Sequence, residues 1–347
     1  FTPKTAYEIG VRVSWARRCV LETGVAAMAA FADAPPLLDR WYVVATTDEI
    51  AGDPRAVTVL GRGFVLWRDG DDVVRAAVDR CPHREAPLSC GSLTGGELRC
   101  AYHGWRFAGD GRCTAIPSAD PDTPVPARAH LDTIGATERY GLVWLCPGEP
   151  TDPIPRITQD DDPAFRRLTT EVEVWDVSAP RMTDNFMDIS HFPWVHTATF
   201  GAGQPQRVPP LSPGPLDDGW YGYAYEVDAD NPAEAAAASG SDEPVVHRWM
   251  STAFSLPFNV RSTIRYTDGL EHVLLLATTP VDDLRSLFTF VVWRNDDPAV
   301  DPAPILAFDR AIGAEDRAML ERIPGLLPLE PGTLVDASAD RPSVAWR

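Results

Sequence analysis

The sequence has no long apolar run, few basic residues and few cysteines. Its 347 residues include 31 Lys and Arg against 50 Asp and Glu, a net charge of −19. A protein this acidic is not expected to bind nucleic acid or anionic membranes, since both bind clustered positive charge. No uninterrupted apolar stretch approaches the roughly 18 residues that suggest a membrane span. Six cysteines are too few to predict a disulfide scaffold.

The remaining composition is that of a globular protein of about two domains. Hydrophobic residues make up 44% of the chain, enough to bury a sizeable core. Residues 1–37 are expected to be an N-terminal extension. Its first 27 residues precede Met28 and are typical of upstream sequence translated in frame. The alternative is a twin-arginine signal at Arg17-Arg18, but Glu22 interrupts its apolar region, so a cytoplasmic protein is expected.

Two regions with different patterns follow the extension. Residues 38–150 alternate short β-branched and aromatic segments with turns, which predicts a small antiparallel β domain. A Pro/Asp-rich linker, residues 147–155, leads into residues 151–347. There the pattern predicts a strand over 168–177, a helix over 179–196, five further strands and a last amphipathic helix over 304–322. The expected fold class is therefore α+β.

Cys81, His83, Cys100 and His103 form the first candidate metal centre. The pairs Cys-Pro-His and Cys-Ala-Tyr-His are separated by sixteen residues. Zinc uses the same ligand types, but its structural sites usually have two cysteines two to four residues apart. Two Cys–His pairs suit a 2Fe–2S cluster in which one iron takes both thiolates and the other takes both imidazoles.

Asn185, Asp188, His191 and His196 form the second candidate centre. Two histidines and one carboxylate hold Fe(II) and leave positions for O2 and substrate. Residues five apart point about 140° away from each other on an ideal helix, so the histidines converge only if Pro193 breaks it. Asp188 lies one turn before His191 and can bind its second ring nitrogen. The alternative is a pair of helix-end histidines that hold no metal.

Both constellations resemble the motifs of the Rieske non-heme iron oxygenases. Residues 81–117 resemble the Rieske domain of that family, with Ala101 where the family usually has Pro. Residues 185–196 resemble its iron motif, Asn-x2-Asp-x2-His-x4-His. The resemblance extends over about residues 38–347. It implies a Rieske 2Fe–2S domain, residues 38–150, followed by a START-like helix-grip catalytic domain with mononuclear Fe(II), residues 151–347.

The resemblance also implies the third iron ligand. In the family this is an Asp on a helix near the C-terminus, and Asp316 fits that place, after Glu315. Asp309, seven residues earlier on nearly the same helical face, is the alternative. Asn185 is expected to orient the site rather than to bind iron.

The family further implies an electron route. Electrons from NAD(P)H pass through a ferredoxin and/or flavin reductase to the cluster, and then to the iron of the neighbouring subunit in a head-to-tail homotrimer. Asp188 is expected to bridge the centres, accepting from His191 on one side and from His103 of the neighbour on the other.

The expected reaction is hydroxylation or oxidative demethylation of a small aromatic or cyclic substrate with O2. The chain is short for an arene dioxygenase α subunit, and residues 184–191 look like the branch that holds vanillate-type demethylases. Alternatives are a cis-dihydroxylating dioxygenase, a Rieske electron-transfer protein and a non-catalytic START-like module. Pocket walls are expected from Phe192, Trp194, Phe200, Trp249, Phe254 and Phe258, with plain core packing as the alternative for each. The strand histidines His247 and His272 could also face the pocket, but a surface or hydrogen-bonded strand position is the favoured interpretation.

Overall fold

The computed structural model describes residues 35–330 and 332–347, and the expectations for residues 1–34 lie outside this part of the chain. The helices are α1 (Pro35–Leu38), α2 (Ala179–Phe186), α3 (Phe192–Val195), α4 (Ala236–Ser239), α5 (Pro302–Leu320) and α6 (Arg341–Trp346). The first ten strands are β1 (Tyr42–Thr46), β2 (Arg55–Val59), β3 (Arg62–Arg68), β4 (Val74–Val78), β5 (Ser92–Thr94), β6 (Glu97–Arg99), β7 (Arg106–Phe107), β8 (Cys113–Ala115), β9 (Thr133–Arg139) and β10 (Leu142–Cys146). The others are β11 (Arg166–Thr169), β12 (Glu173–Trp175), β13 (Gly214–Pro215), β14 (Tyr221–Asp230), β15 (Val245–Ser255), β16 (Asn259–Tyr266), β17 (Glu271–Pro280) and β18 (Ser286–Arg294).

The first ten strands form two antiparallel sheets. The larger has the order β1-β10-β9-β4-β3-β2, and the smaller has the order β5-β6-β7-β8. Strands β2 and β3 form a tight hairpin in which Val59 pairs with Arg62. Its two turn residues, Leu60 and Gly61, both have positive φ, as a type I′ turn requires. The smaller sheet holds the two candidate cluster loops, one before β5 and one between β6 and β7.

A long antiparallel sheet dominates the second half of the chain. Its order is β11-β18-β17-β16-β15-β14-β13, and β12 also pairs with β18. In β17 alternate residues face opposite sides, so Val273 and Leu275 share one side of the sheet. Both are fully buried there, in a cluster with Trp144 of the first sheet. Leu274 and Leu276 face the other side and stay only half-buried. We call these two sides the outer face and the inner face of the long sheet.

The helix expected over 179–196 is interrupted, because α2 ends at Phe186 and α3 begins at Phe192. The Asp188 carboxylate accepts the backbone N–H groups of Ser190 and His191, and these bonds replace helical ones. The expected strand over 168–177 is likewise divided into β11 and β12.

The last long helix, α5, is continuous over 19 residues, and the Asp301 carboxylate caps it by accepting from the Ala303 N–H at 2.9 Å. Helix α4 lies in a segment of loop composition and packs Ala238 with Phe308 of α5. No helix of the described residues is long and apolar enough to cross a bilayer.

Candidate metal centres

The four cluster candidates lie on two adjacent loops of the smaller sheet. Cys81 and Cys100 are buried, whereas His103 is exposed. The two imidazole rings, His83 and His103, meet edge to face with centroids 4.5 Å apart. Trp105 stacks on His83 at 4.5 Å and closes the site from one side. The loops thus gather a thiol pair and, separately, an imidazole pair.

This arrangement fits a 2Fe–2S cluster. The two thiols share a hydrogen bond, which raises the pKa of Cys81 and lowers that of Cys100 to about 6. Backbone N–H groups point at each sulfur, those of His83 and Arg84 at Cys81, and they stabilise thiolate charge. The Nδ1 atom of His83 is buried without a hydrogen-bond partner, as an atom reserved for a metal would be. One iron can take the sulfurs and the other the imidazoles.

The second centre brings together three donors from two segments, the two ends of α3 and the helix α5. The Nε2 atoms of His191 and His196 lie 3.2 Å apart. The Asp316 Oδ1 atom of α5 lies 3.3 Å from the first and 3.5 Å from the second. An ion among these atoms would lie about 2 Å from each, a normal metal–ligand length. The described residues contain no other such group of three or more.

Asp188 holds the first of these histidines. Its Oδ2 atom lies 2.8 Å from His191 Nδ1, which leaves Nε2 directed at Asp316. Burial disfavours charge on His191, but the two carboxylates outweigh it and raise its pKa to about 9. Burial also disfavours charge on Asp188, but hydrogen bonds from His191 and Ser190 lower its pKa. The site therefore stabilises a positive charge among its donors, as a cation site should.

Glu315, which the sequence reasoning did not assign, holds the second histidine. Its carboxylate lies 3.3 Å from His196 Nδ1 and accepts from the Ala198 N–H at 2.8 Å and the Thr199 hydroxyl at 2.6 Å. Burial lowers the pKa of His196, so its ring is a neutral ligand. The sequence feature that could have predicted this role is the acidic pair Glu315-Asp316 on one helix. A single carboxylate is enough to bind the iron, so the second one is free to support a histidine.

Asn185 and Asp309 have different surroundings. Asn185 donates from Nδ2 to Asp316 Oδ1 at 3.0 Å, in line with an orienting role. Asp309 lies two turns before Asp316, and its Oδ2 atom is 3.4 Å from Nε2 of His272 instead of near the histidine pair. His272 is buried and accepts from Arg294 at 2.7 Å.

The expected pocket aromatics divide into three pairs. Phe192 and Phe200 pack on His196 with ring centroids 5.5 and 5.1 Å away. Trp194 is 63% exposed and Trp249 is 40% exposed, so neither is buried in a pocket wall. The others pack elsewhere: Phe254 and Phe258 lie in the core that joins the two large sheets, and His247 meets Trp249 edge to face on the outer face.

Comparisons with known proteins identify both domains. Residues 40–134 match the Rieske [2Fe-2S] domain, and residues 175–347 match the vanillate O-demethylase oxygenase C-terminal domain. Methylxanthine N1-demethylase NdmA of Pseudomonas putida is 30% identical over 88% of this chain and 86% of its own. The solved structure of NdmA with caffeine has a TM-score of 0.76, with 28% identity over 91% of this chain and 90% of that one. The solved structure of dicamba monooxygenase bound to 3,6-dichlorosalicylic acid has a TM-score of 0.74, with 25% identity over 89% of this chain and 95% of that one.

Proposed function

Because the chain belongs to the Rieske non-heme iron oxygenases as a terminal oxygenase component, we propose that it demethylates or hydroxylates a small aromatic substrate. The family match makes the chain a monooxygenase that takes electrons from a reductase system. The named relatives act on methylxanthines and bind dicamba-type arenes, which supports an aromatic substrate. Packing of Phe192 and Phe200 on the candidate iron ligand His196 supports it as well.

The cofactors of this family are a Rieske cluster and mononuclear iron. The cluster supplies electrons one at a time, and the mononuclear iron supplies activation of O2 for insertion into a C–H bond. We assign the cluster to Cys81, His83, Cys100 and His103. The separate thiol and imidazole pairs support this assignment.

We assign the mononuclear iron to His191, His196 and Asp316. The observation that carries the proposed function is the convergence of these three donors within 3.5 Å of one another. The aromatic rings beside the donors exclude water, and Asn185 fixes the carboxylate orientation through its hydrogen bond.

We also propose that electrons cross between subunits of a head-to-tail homotrimer. His103 and its neighbour Tyr102 are exposed, so the imidazole side of the cluster reaches the surface. Trp194, three residues after His191, is exposed beside the other centre. A contact between these surfaces lets Asp188 of one subunit accept from His103 of the next, as in a ring of identical interfaces.

The domain division at residues 38–150 and 151–347 belongs to this proposal. The two family models support it because they match on either side of residue 150. A cytoplasmic location is proposed from the electron supply, because the reductase draws on NAD(P)H.

The first test is iron and acid-labile sulfide per chain in anaerobically purified protein. We expect about three irons and two sulfides, with a Rieske-type visible and EPR spectrum. Two irons and two sulfides, unchanged after incubation with Fe(II), would leave an electron-transfer protein and refute an oxygenase. Zinc without sulfide would refute both centres.

A further inference from the structure

Arg248 is a buried cation without a polar partner. It lies in β15 on the inner face of the long sheet and is 4% exposed. Its Nε atom is buried with no hydrogen-bond partner, and no hydrogen bond or ion pair among the described residues includes its guanidinium. The two other buried arginines have carboxylate partners: Arg261 pairs with Asp217, and Arg294 pairs with Asp296 at 2.9 Å.

An uncompensated buried charge is costly, so a partner from outside the chain is expected. Buried polar groups are almost always hydrogen-bonded, and burying a lone charge is strongly unfavourable. The Phe200 and Tyr266 rings each lie 5.7 Å from the Arg248 guanidinium carbon and supply only a cation–π interaction. These rings fix the guanidinium without satisfying its five N–H donors.

The two acidic side chains of α5 in this region are directed at other groups than Arg248, although the Asp309 Oδ2 atom is buried without a hydrogen bond. On α5, Asp309 faces His272, and Glu315 bonds to His196 and Thr199. No carboxylate oxygen of the described residues lies within 4.0 Å of Arg248 nitrogen, the limit for an ion pair. The guanidinium therefore has no internal anion that would make it a structural ion pair.

The guanidinium is close to the candidate iron ligands. The Phe200 ring joins them, because its centroid is 5.7 Å from the Arg248 guanidinium carbon and 5.1 Å from the His196 ring. The guanidinium carbon is thus at most about 11 Å from that ring, a span that one substituted benzene ring can bridge. Leu274, on the same inner face, stays half-buried, as expected for residues around a hollow.

We propose that Arg248 binds a carboxylate on the substrate, which makes the substrate class a small aromatic carboxylate. This inference rests on the proposed oxygenase function and adds the specificity-determining residue. The planar guanidinium matches a carboxylate through two parallel hydrogen bonds, which a neutral group cannot reproduce. With the carboxylate held there, the far end of the ring, with its methoxy or C–H group, is directed toward His191, His196 and Asp316.

The test compares the methoxybenzoates with the matching neutral methoxybenzamides, using calorimetric binding to the anaerobic holoenzyme. We expect the wild-type protein to bind at least one acid about 10- to 100-fold more tightly than its amide. This ratio corresponds to the usual free-energy contribution of a hydrogen bond to a charged group. Arg248→Met abolishes this preference, and Arg248→Lys keeps part of it. Arg265→Met is the matched control, because it removes the same charge from the neighbouring strand at an exposed position and should keep the preference.

Two results would overturn the inference. In the first, the wild-type protein binds no acid more tightly than its amide, or binds none of the compounds. In the second, the preference for the acid persists in Arg248→Met. If Arg248→Met does not fold, the wild-type comparison and Arg248→Lys still decide. Iron content and the Rieske spectrum are recorded for every variant. Missing iron refutes the proposed function, whereas an iron-replete enzyme that demethylates only the amides refutes the carboxylate site alone.

Discussion

At the residue scale, each donor of the proposed iron site is held by a second polar side chain. Asp188 holds His191, Glu315 holds His196, and Asn185 holds Asp316. Such supporting bonds fix ring orientation and tautomer, and losing one typically weakens metal binding about 10- to 100-fold. The triad therefore depends on six side chains, of which Asp188, Glu315 and the donor Asp316 carry negative charge.

Glu315→Gln should weaken iron binding about 10-fold, at the lower end for supporting residues, because the amide lacks the charge that orients His196. The measurement is iron retained by the protein during dialysis against graded chelator, with the Rieske spectrum as an internal reference. Glu321→Gln is the matched control, since Glu321 lies on the same chain segment but pairs with Arg317 at 2.7 Å. Equal iron retention in the two variants would remove Glu315 from the site.

At the element scale, the turn after α3 decides where the second histidine lies. The Gly201 N–H donates to the His196 carbonyl oxygen at 2.8 Å, which folds the chain back onto α3. A Cβ at Gly201 would lie 2.1 Å from the Phe192 carbonyl oxygen. Only glycine allows this close approach of two backbone segments.

Gly201→Ala is expected to lower the free energy of unfolding by about 1–3 kcal/mol, the usual range for overpacking, and to release the mononuclear iron. Chemical denaturation and iron analysis measure the two effects. Gly313→Ala in α5 is the control, because the nearest atom to its added Cβ is 3.9 Å away on Trp175. That variant should gain up to about 1 kcal/mol from helix propensity and keep its iron. Normal iron content in Gly201→Ala would show that the turn does not position His196.

At the scale of the whole molecule, the proposed electron route depends on two subunits. Asp188→Asn should keep the Rieske absorption and lose coupled turnover, because the amide cannot replace the carboxylate between His191 and His103 of the neighbour. His83→Ala should lose the cluster and also be inactive.

Mixed oligomers of these two variants distinguish electron transfer between subunits from transfer within one subunit. A subunit with an intact Asp188 can then receive electrons from a neighbour with an intact cluster, so part of the activity returns. Turnover after co-refolding or co-expression measures this, and sedimentation reports the oligomer. Mixed oligomers that stay inactive would contradict transfer between subunits, and full activity of Asp188→Asn alone would remove Asp188 from the route.

The sequence by itself was enough to propose the ligands of both centres, because ligand types and short spacings are local properties. The four cluster residues and the pair His191 and His196 were predicted from motifs, the carboxylate Asp316 from the family resemblance, and the α+β fold class from the pattern of strands and helices. Five strands of the long sheet, β14 to β18, were also predicted to within about three residues, since alternating burial leaves a period of two in the sequence.

Only the tertiary structure decided which distant groups meet. The separation of Asp309 from the triad depends on how α5 lies across the sheet, and the bond between Glu315 and His196 joins residues far apart in the chain. Arg248 has no motif around it, and it stands out only because the fold buries it without an anion. Burial and partner choice are properties of packed surfaces that spacing does not encode, so the proposed recognition of the substrate by Arg248 depends on the fold rather than on the motifs.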